Sequence, residues 1–284
     1  MNISGTTRVL GIFGCPVSHT LSPLMHNTAI EALGLDMVYM PFEVKPDNLA
    51  DAVNAIRALN IVGVNITIPH KKSIIPFLDE ISNDAKLIGA VNTIVNRKGK
   101  LIGHNTDGGG YIKSLGSELG FNVKGKNVLI LGAGGAARAI AAGIAKGGAC
   151  RIVIANRTVE RGMSLADGFR SLFRDVEIIA TGIKEKSLMR YVPDADLIVN
   201  TTSAGMNDKG GVKVPLKAVS TNAVVSDIIY KPRITKFLRN ADKLGIRTHS
   251  GLGMLVEQGA LSFKLWTGYD MPKDIVYKKL ARKR

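Results

Sequence analysis

The apolar run Asn127-Val128-Leu129-Ile130-Leu131 passes directly into Gly132-Ala133-Gly134-Gly135-Ala136-Ala137, and this junction constrains the fold more than any other stretch. A strand entering G-x-G-x-x-A and then an alanine-rich helix, 136–146, predicts the first half of a βαβ unit. Glycine removes the Cβ atoms that would block a pyrophosphate, so backbone N–H groups and the helix N-terminus face it. Taken alone, the pattern also marks ordinary turns. Its neighbours favour the nucleotide reading, because a second apolar strand, 151–155, follows at the spacing a βαβ unit needs. That strand ends in Asn156-Arg157-Thr158-Val159-Glu160-Arg161. A dinucleotide with a bare ribose is usually met there by Asp or Glu, whereas Arg suits a 2′-phosphate, so the segment reads as an NADP site. With Thr158 as helix cap, Arg161 falls in the first turn, where the macrodipole disfavours a cation unless an anion offsets it.

The rest of the chain continues the alternation. Strands are predicted at 8–13, 37–44 and 61–67 with helices at 23–33 and 47–59, an order that implies a parallel α/β sheet. A helix is predicted at 79–87, and 91–96 with 100–104 read as a hairpin-like pair around Lys98-Gly99. Beyond a helix near 108, six short strands at 128–131, 152–155, 176–180, 197–200, 223–227 and 246–248 match a doubly wound nucleotide domain. Two helices, 252–266 and one after Pro272, close the chain without a further strand. The expected organisation is therefore a substrate-binding α/β domain over 1–107, a Rossmann-type domain over 108–248, and C-terminal helices over 249–284 that return to the first domain.

Composition narrows the function classes. The chain has 284 residues, enough for two domains, and no apolar stretch approaches the length of a membrane span. Residues 1–8 show no signal-peptide pattern. Two cysteines, Cys15 and Cys150, supply neither a disulfide framework nor metal-ligand spacing, which fits a reducing cytoplasm, with Cys15 read as a buried thiol. A net charge of +15 raises nucleic acid as a partner, but the basic residues are scattered. The one dense run, Lys278 to Arg284, reads as a solvated helix end, and aromatics at 5% are too sparse for base stacking. No apolar stripe marks a subunit interface, so monomer and homodimer are equally compatible with the sequence.

Four segments of the first domain concentrate small polar residues where strands end or helices begin, the usual ligand position in α/β sheets. In Gly14 to Asn27, Ser22 reads as an N-cap with Pro23 at the first helical position, and Thr20 has no such explanation. Hydroxyls at a helix N-terminus also suit a carboxylate. Gly63 to Lys71 places Asn65, Thr67 and Lys71 near a strand end; Gly89 to Thr93 carries Asn92; Gly103 to Gly110 carries Asp107. Singly, Lys71 reads as surface charge beside Lys72, Asp107 as an N-cap and Asn92 as a turn former.

Together these motifs resemble the NADP-dependent shikimate dehydrogenase family over nearly the whole chain. The likeness runs through G-x-P-x-x-H-[ST]-x-S-P-x-x-H-N, G-x-N-I-T-x-P-x-K, G-A-V-N-T, N-T-D-G, G-A-G-G-A and N-R-T. It continues to Asn200-Thr201-Thr202-Ser203-Ala204-Gly205-Met206, Asp227 to Pro232 and Gly251 to Ala260. The resemblance implies interconversion of 3-dehydroshikimate and shikimate in aromatic amino-acid biosynthesis, with Lys71 and Asp107 as the catalytic pair. It implies Thr20 and Ser22 on the substrate carboxylate, and Asn65, Thr67, Asn92, Asp107, Tyr230 and Gln258 around the ring. Gly132, Ala133, Gly134, Gly135 and Ala136 would hold the pyrophosphate, and Asn156, Arg157, Thr158 and Arg161 the 2′-phosphate. Ile228, Gly251 and Met254 would line the nicotinamide. Thr20 stands where the family usually has Ser, which leaves a quinate-using relative open. A non-catalytic dinucleotide-sensing regulator is the alternative from another class, and retention of Lys71 and Asp107 argues against it.

Overall fold

The computed structural model describes residues 2–208 and 210–282 and contains twelve strands and ten α-helices among them. In order, the first part runs β1 (Arg8–Gly14), α1 (Ser22–Ala32), β2 (Met37–Glu43), α2 (Leu49–Ala58), β3 (Gly63–Ile66), β4 (Glu80–Ile81), α3 (Asn83–Ile88), β5 (Thr93–Arg97) and β6 (Lys100–His104). Then come α4 (Asp107–Leu119), β7 (Asn127–Leu131), α5 (Gly135–Lys146), β8 (Arg151–Asn156), α6 (Val159–Arg170), β9 (Glu177–Gly182), α7 (Glu185–Leu188), β10 (Leu197–Asn200), β11 (Val224–Asp227), α8 (Lys236–Asp242) and β12 (Arg247–Ser250). Two helices, α9 (Gly251–Thr267) and α10 (Lys273–Arg282), complete the chain.

The chain divides into two compact units, residues 1–106 with 258–284, and residues 107–257. The division falls inside α9, so the first turns of that helix group with the second unit. Gly251 follows β12 directly, and a Cβ there would stand 2.0 Å from the Ile228 carbonyl oxygen, so the helix start is pressed against the end of β11. From Gln258 onward the helix packs with the first unit, where the Trp266 indole N–H donates to the Ile94 carbonyl at 2.9 Å.

The second unit is a six-stranded parallel sheet in the order β12-β11-β10-β7-β8-β9, the doubly wound arrangement in which chain order reverses between β7 and β10. Its four central strands, β7, β8, β10 and β11, are buried on both faces, as near-continuous Val/Ile/Leu runs require. The first unit carries the order β2-β1-β3-β5-β6-β4 and is mainly parallel, as expected, with the pairs β1–β2, β1–β3 and β4–β6 parallel and β5 the exception. β5 runs antiparallel to both β3 and β6, and the tight Lys98-Gly99 turn, with φ of 54° and 89°, accounts for the second pairing by folding β6 back on β5.

The single helix expected over 79–87 is instead a short strand and a short helix. The Asp79 carboxylate accepts the Leu101 N–H at 2.7 Å and an Arg57 N–H at 2.9 Å, which holds the chain extended through β4. Ser82 then caps α3 by accepting from the Ala85 N–H. At α1, Leu21 rather than Ser22 is the cap residue, and Pro23 stands second in the helix. Cys15 is half-buried, 3.9 Å from a Glu43 carboxylate oxygen, and not a core thiol; Cys150 is exposed and both are free. The basic end of the chain follows α10 as far as Arg282, and Lys283 and Arg284 lie outside the described residues. Among the described residues no helix is long and apolar enough to cross a membrane.

Candidate active site

Register aligns the polar segments of the first unit. Phe13 pairs with Ile66, Asn65 with Thr93, and Thr93 with His104, so the ends of β1, β3 and β6 and the start of β5 share one edge of the sheet. The segments holding Thr20, Thr67, Asn92 and Thr106 leave the sheet from that edge. Gly14 makes the approach possible, since a Cβ there would stand 2.3 Å from the Thr67 methyl.

Thr20 and Ser22 form a pair: the Thr20 hydroxyl donates to Ser22 Oγ at 3.2 Å and accepts the Ser22 N–H at 3.2 Å. Ser22 is already the first residue of the helix, so its hydroxyl faces Thr20 rather than capping α1. Asn65 is buried in β3, where its Nδ2 donates to the Asn92 carbonyl at 3.1 Å and its Oδ1 accepts the Tyr39 hydroxyl proton at 2.7 Å. Burial raises the Tyr39 phenol well above its usual range, against a lowering by Ser22, so it stays a neutral donor. Asn92 is no exposed turn former: it is buried, its Oδ1 accepts the Thr106 N–H at 2.8 Å, and its Nδ2 donates to Gln258 Oε1 at 3.3 Å. The structure thus joins Asn65, Asn92 and Gln258 in one hydrogen-bonded group.

Lys71 lies half-buried on the turns after β3, and its carbonyl accepts the Val91 N–H at 2.8 Å. Its neighbour His70 is fully buried, with Nε2–H donating to the Val44 carbonyl at 2.7 Å, so the backbone beside Lys71 is pinned from two sides. Asp107 is 5% exposed and begins α4. Lys71 is therefore not a free surface charge and Asp107 not a solvated cap, as each residue taken singly would suggest.

In the second unit, Gly132 has φ +113°, and a Cβ there would stand 2.7 Å from Thr201 Oγ1. Gly134 is the N-cap of α5, extended, with no side-chain cap bond, and a methyl added to its Cα would meet nothing within 4 Å. The N-terminus of α5 therefore presents backbone donors to open space, a cradle that a Cβ would begin to fill and that fits a pyrophosphate. The Gly132 N–H donates to the Ala155 carbonyl at 2.8 Å, which sets this turn beside the end of β8. There Asn156 Nδ2 closes its own turn on the Thr158 carbonyl at 2.7 Å, and Arg157 and Arg161 are exposed. Thr158 occupies the cap position of α6 without making a side-chain cap bond, and Arg161 lies in the first turn, so that helix end also has donors and cations for an anion.

Ile228 and Tyr230 are half-buried after β11, and Gly251 and Met254 are buried in the first turn of α9. Asp227 organises that segment. It accepts from the Ile229 N–H at 3.1 Å, Asn200 Nδ2 at 3.1 Å and the Thr235 hydroxyl at 2.8 Å. Burial outweighs those bonds and pushes the carboxyl up to about 6.

The shikimate dehydrogenase substrate binding domain matches residues 12–94, the shikimate / quinate 5-dehydrogenase model residues 114–230, and the shikimate 5′-dehydrogenase C-terminal domain residues 251–281. A shikimate dehydrogenase (NADP+) of Geobacter metallireducens is 46% identical over 280 residues, 99% of this chain and 98% of the relative. The chain belongs to the shikimate dehydrogenase family. Among solved structures, a shikimate dehydrogenase in complex with NADP+ superposes with a TM-score of 0.92 at 42% identity, covering 99% of this chain and 97% of that one. The shikimate 5-dehydrogenase of Listeria monocytogenes, in complex with shikimate and NAD, gives 0.92 at 38% identity over 99% and 98%.

The sequence motifs leave four members of the polar group without a role. Tyr39, Thr93, Thr106 and Ser262 each bond a residue assigned to the substrate. Thr93 and Thr106 lie inside recognised motifs with no function attached. Ser262 has one available signal, its place one helical turn after Gln258 and hence on the same face.

Proposed function

We propose that this chain interconverts 3-dehydroshikimate and shikimate with NADP(H). The observation that carries the reading is the interlocked row of Asn65, Asn92 and Gln258 at one sheet edge, a set of neutral donors and acceptors suited to a ring bearing several hydroxyls. Family membership supplies the substrate class. Thr20 and Ser22 bind the carboxylate, while Asn65, Thr67, Asn92, Asp107, Tyr230 and Gln258 bond the ring oxygens.

NADP, when bound, supplies or accepts the hydride. Gly132 to Ala136 hold its pyrophosphate through backbone N–H groups, Asn156, Arg157, Thr158 and Arg161 hold the 2′-phosphate, and Ile228, Gly251 and Met254 line the nicotinamide. Lys71 performs the proton transfer: in reduction its ammonium gives a proton to the forming alkoxide, and in oxidation its amine takes the hydroxyl proton. Asp107 bonds a substrate hydroxyl and completes the catalytic pair. Two free cysteines and the absence of a membrane-length helix among the described residues support a cytoplasmic enzyme.

Initial rates with shikimate and with quinate, each with NADP+ and NAD+, test the reading. The largest kcat/KM belongs to shikimate with NADP+. Thr20, with a methyl where the family usually has none, favours one second reading, a dual shikimate/quinate enzyme, which comparable rates on both substrates would establish. Salt-sensitive DNA binding without shikimate-dependent NADPH formation would overturn both.

A further inference from the structure

We infer that Ser262 is a positioning residue of the substrate site, tying α9, which carries Gln258, to the segments that carry Asn65 and Asn92; the inference rests on the proposed shikimate reaction. Ser262 is fully buried, and its hydroxyl meets four groups: Asn65 Nδ2 at 3.2 Å, Thr93 Oγ1 at 2.7 Å, Thr106 Oγ1 at 3.2 Å and the Gln258 carbonyl at 3.1 Å. A serine has one proton and two lone pairs. The Gln258 carbonyl can only accept, so it takes the proton. Asn65 Nδ2 can only donate, so it takes one lone pair, and a threonine hydroxyl donates to the other. This one atom therefore ties α9 to β3, to β5 and to the segment after β6.

The same logic fixes the amides beyond it. The Thr106 N–H can only donate, so the Asn92 atom 2.8 Å away is Oδ1. Asn92 thus turns Nδ2 toward Gln258, whose nearer atom at 3.3 Å must be Oε1. Gln258 then presents Nε2, a donor, as its other end. A hydrogen bond of 3.3 Å does not itself hold a glutamine on a helix. The register of α9 does, held by the Trp266 bond to Ile94 and by Ser262, which bonds all three neighbouring segments. Without that hydroxyl, Asn65 Nδ2 and a threonine hydroxyl lose a buried acceptor, the segments carrying Asn65 and Asn92 shift against Gln258, and the substrate loses a preset donor.

The test is a kinetic cycle on the full-length enzyme. Ser262→Ala raises the KM for shikimate about tenfold, the loss expected for one buried hydrogen-bonded contact, with the KM for NADP+ unchanged. Ser262→Cys, matched in volume but a weak hydrogen-bonding group, behaves like the alanine variant. In a Gln258→Ala background, Ser262→Ala shifts the shikimate KM less than twofold, because the two residues act through one contact. Fully additive effects, a cysteine variant equal to wild type, or an unchanged shikimate KM in active Ser262→Ala enzyme would each overturn the inference. A wild-type enzyme without shikimate turnover would instead remove the functional reading beneath it.

Discussion

In the second unit, the surface assigned to the pyrophosphate is backbone: a glycine at φ +113°, a glycine cap with open space where its side chain would be, and the N–H groups of a helix start. In the first unit, the surface assigned to the substrate is side chain throughout, with Asn65, Asn92, Thr106, Ser262 and Gln258 each held by the next. The difference matches the ligands. A pyrophosphate is one charge pattern repeated in every molecule that carries it, so main-chain donors suffice. A ring with several hydroxyls is distinguished from its relatives by where each oxygen lies, which only individually placed donors and acceptors can read.

The sharpest way to break that comparison is at Lys71. If proton transfer belongs to a side chain of the first unit and pyrophosphate binding to backbone of the second, Lys71→Ala lowers kcat by about 10²- to 10⁴-fold, the usual worth of a positioned proton donor. The Kd for NADPH, read by fluorescence titration, stays within about twofold. Near-normal turnover would remove Lys71 from the reaction.

Stability against acid separates the units next. His26 is wholly buried in the first unit, stacked 4.3 Å from the Tyr39 ring, and burial pushes it down to about 3, against a weak raising by Asn65. Below pH 6.5 the unfolded chain takes up a proton that the folded one refuses. Stability present at neutral pH is therefore lost as pH falls, on the order of 3 kcal/mol by pH 4. The second unit holds two opposing groups. Burial lowers His249 to about 4, which acts in the same direction, while Asp227 is raised to about 6 and so keeps a proton that the unfolded chain releases between pH 4 and 6. Its contribution falls as pH rises, which offsets His249. Amide exchange followed from pH 7 to 4 gives the steeper loss in the first unit, and His26→Phe flattens it. Equal slopes in both units, or a His26→Phe slope like that of wild type, would contradict this account.

The same contrast explains what was legible in the sequence. Local periodicity suffices for the second unit, because each parallel strand is an apolar run and the phosphate turn is a contiguous string of glycines; its six strands stand where the pattern put them, within two residues. The first unit hides more. One antiparallel pairing follows from a tight turn, and a second, between β3 and β5, has no local signal. A single carboxylate, Asp79, turned an expected helix into a strand by reaching Leu101 and Arg57, partners more than twenty residues away. Their place in polar segments between strands marks Asn65 and Asn92, but only resemblance brings in Gln258, and nothing in the spacing of residues 65, 92 and 258 says that they touch. Ser262 entered through neither route, because a buried serine in a helix is ordinary in sequence and becomes informative only once its four partners are known.

The smallest effect is the most diagnostic of a backbone-made site. Gly132→Ala cannot serve, because the positive φ and the 2.7 Å approach to Thr201 strain the variant with or without ligand. Gly134→Ala is different: φ is −84°, nothing in the protein lies within 4 Å of the new methyl, and an alanine cap costs the helix only about 1 kcal/mol or less. The protein itself barely notices the substitution. A pyrophosphate resting on the α5 N-terminus does, because the methyl enters the space through which the backbone reaches it. The KM for NADP+ rises about tenfold, the KM for shikimate stays put, and Tm moves by no more than a few degrees. Arg161→Ala supplies the contrast within the same unit. It also raises the KM for NADP+ about tenfold, through one lost charge-assisted bond, but leaves the KM for NAD+ unchanged. Gly134→Ala penalises both dinucleotides alike, since both carry the pyrophosphate and only one the 2′-phosphate. If Gly134→Ala binds NADP+ as wild type does, the dinucleotide does not lie against this turn, and the division between backbone and side-chain recognition fails where it is drawn most plainly.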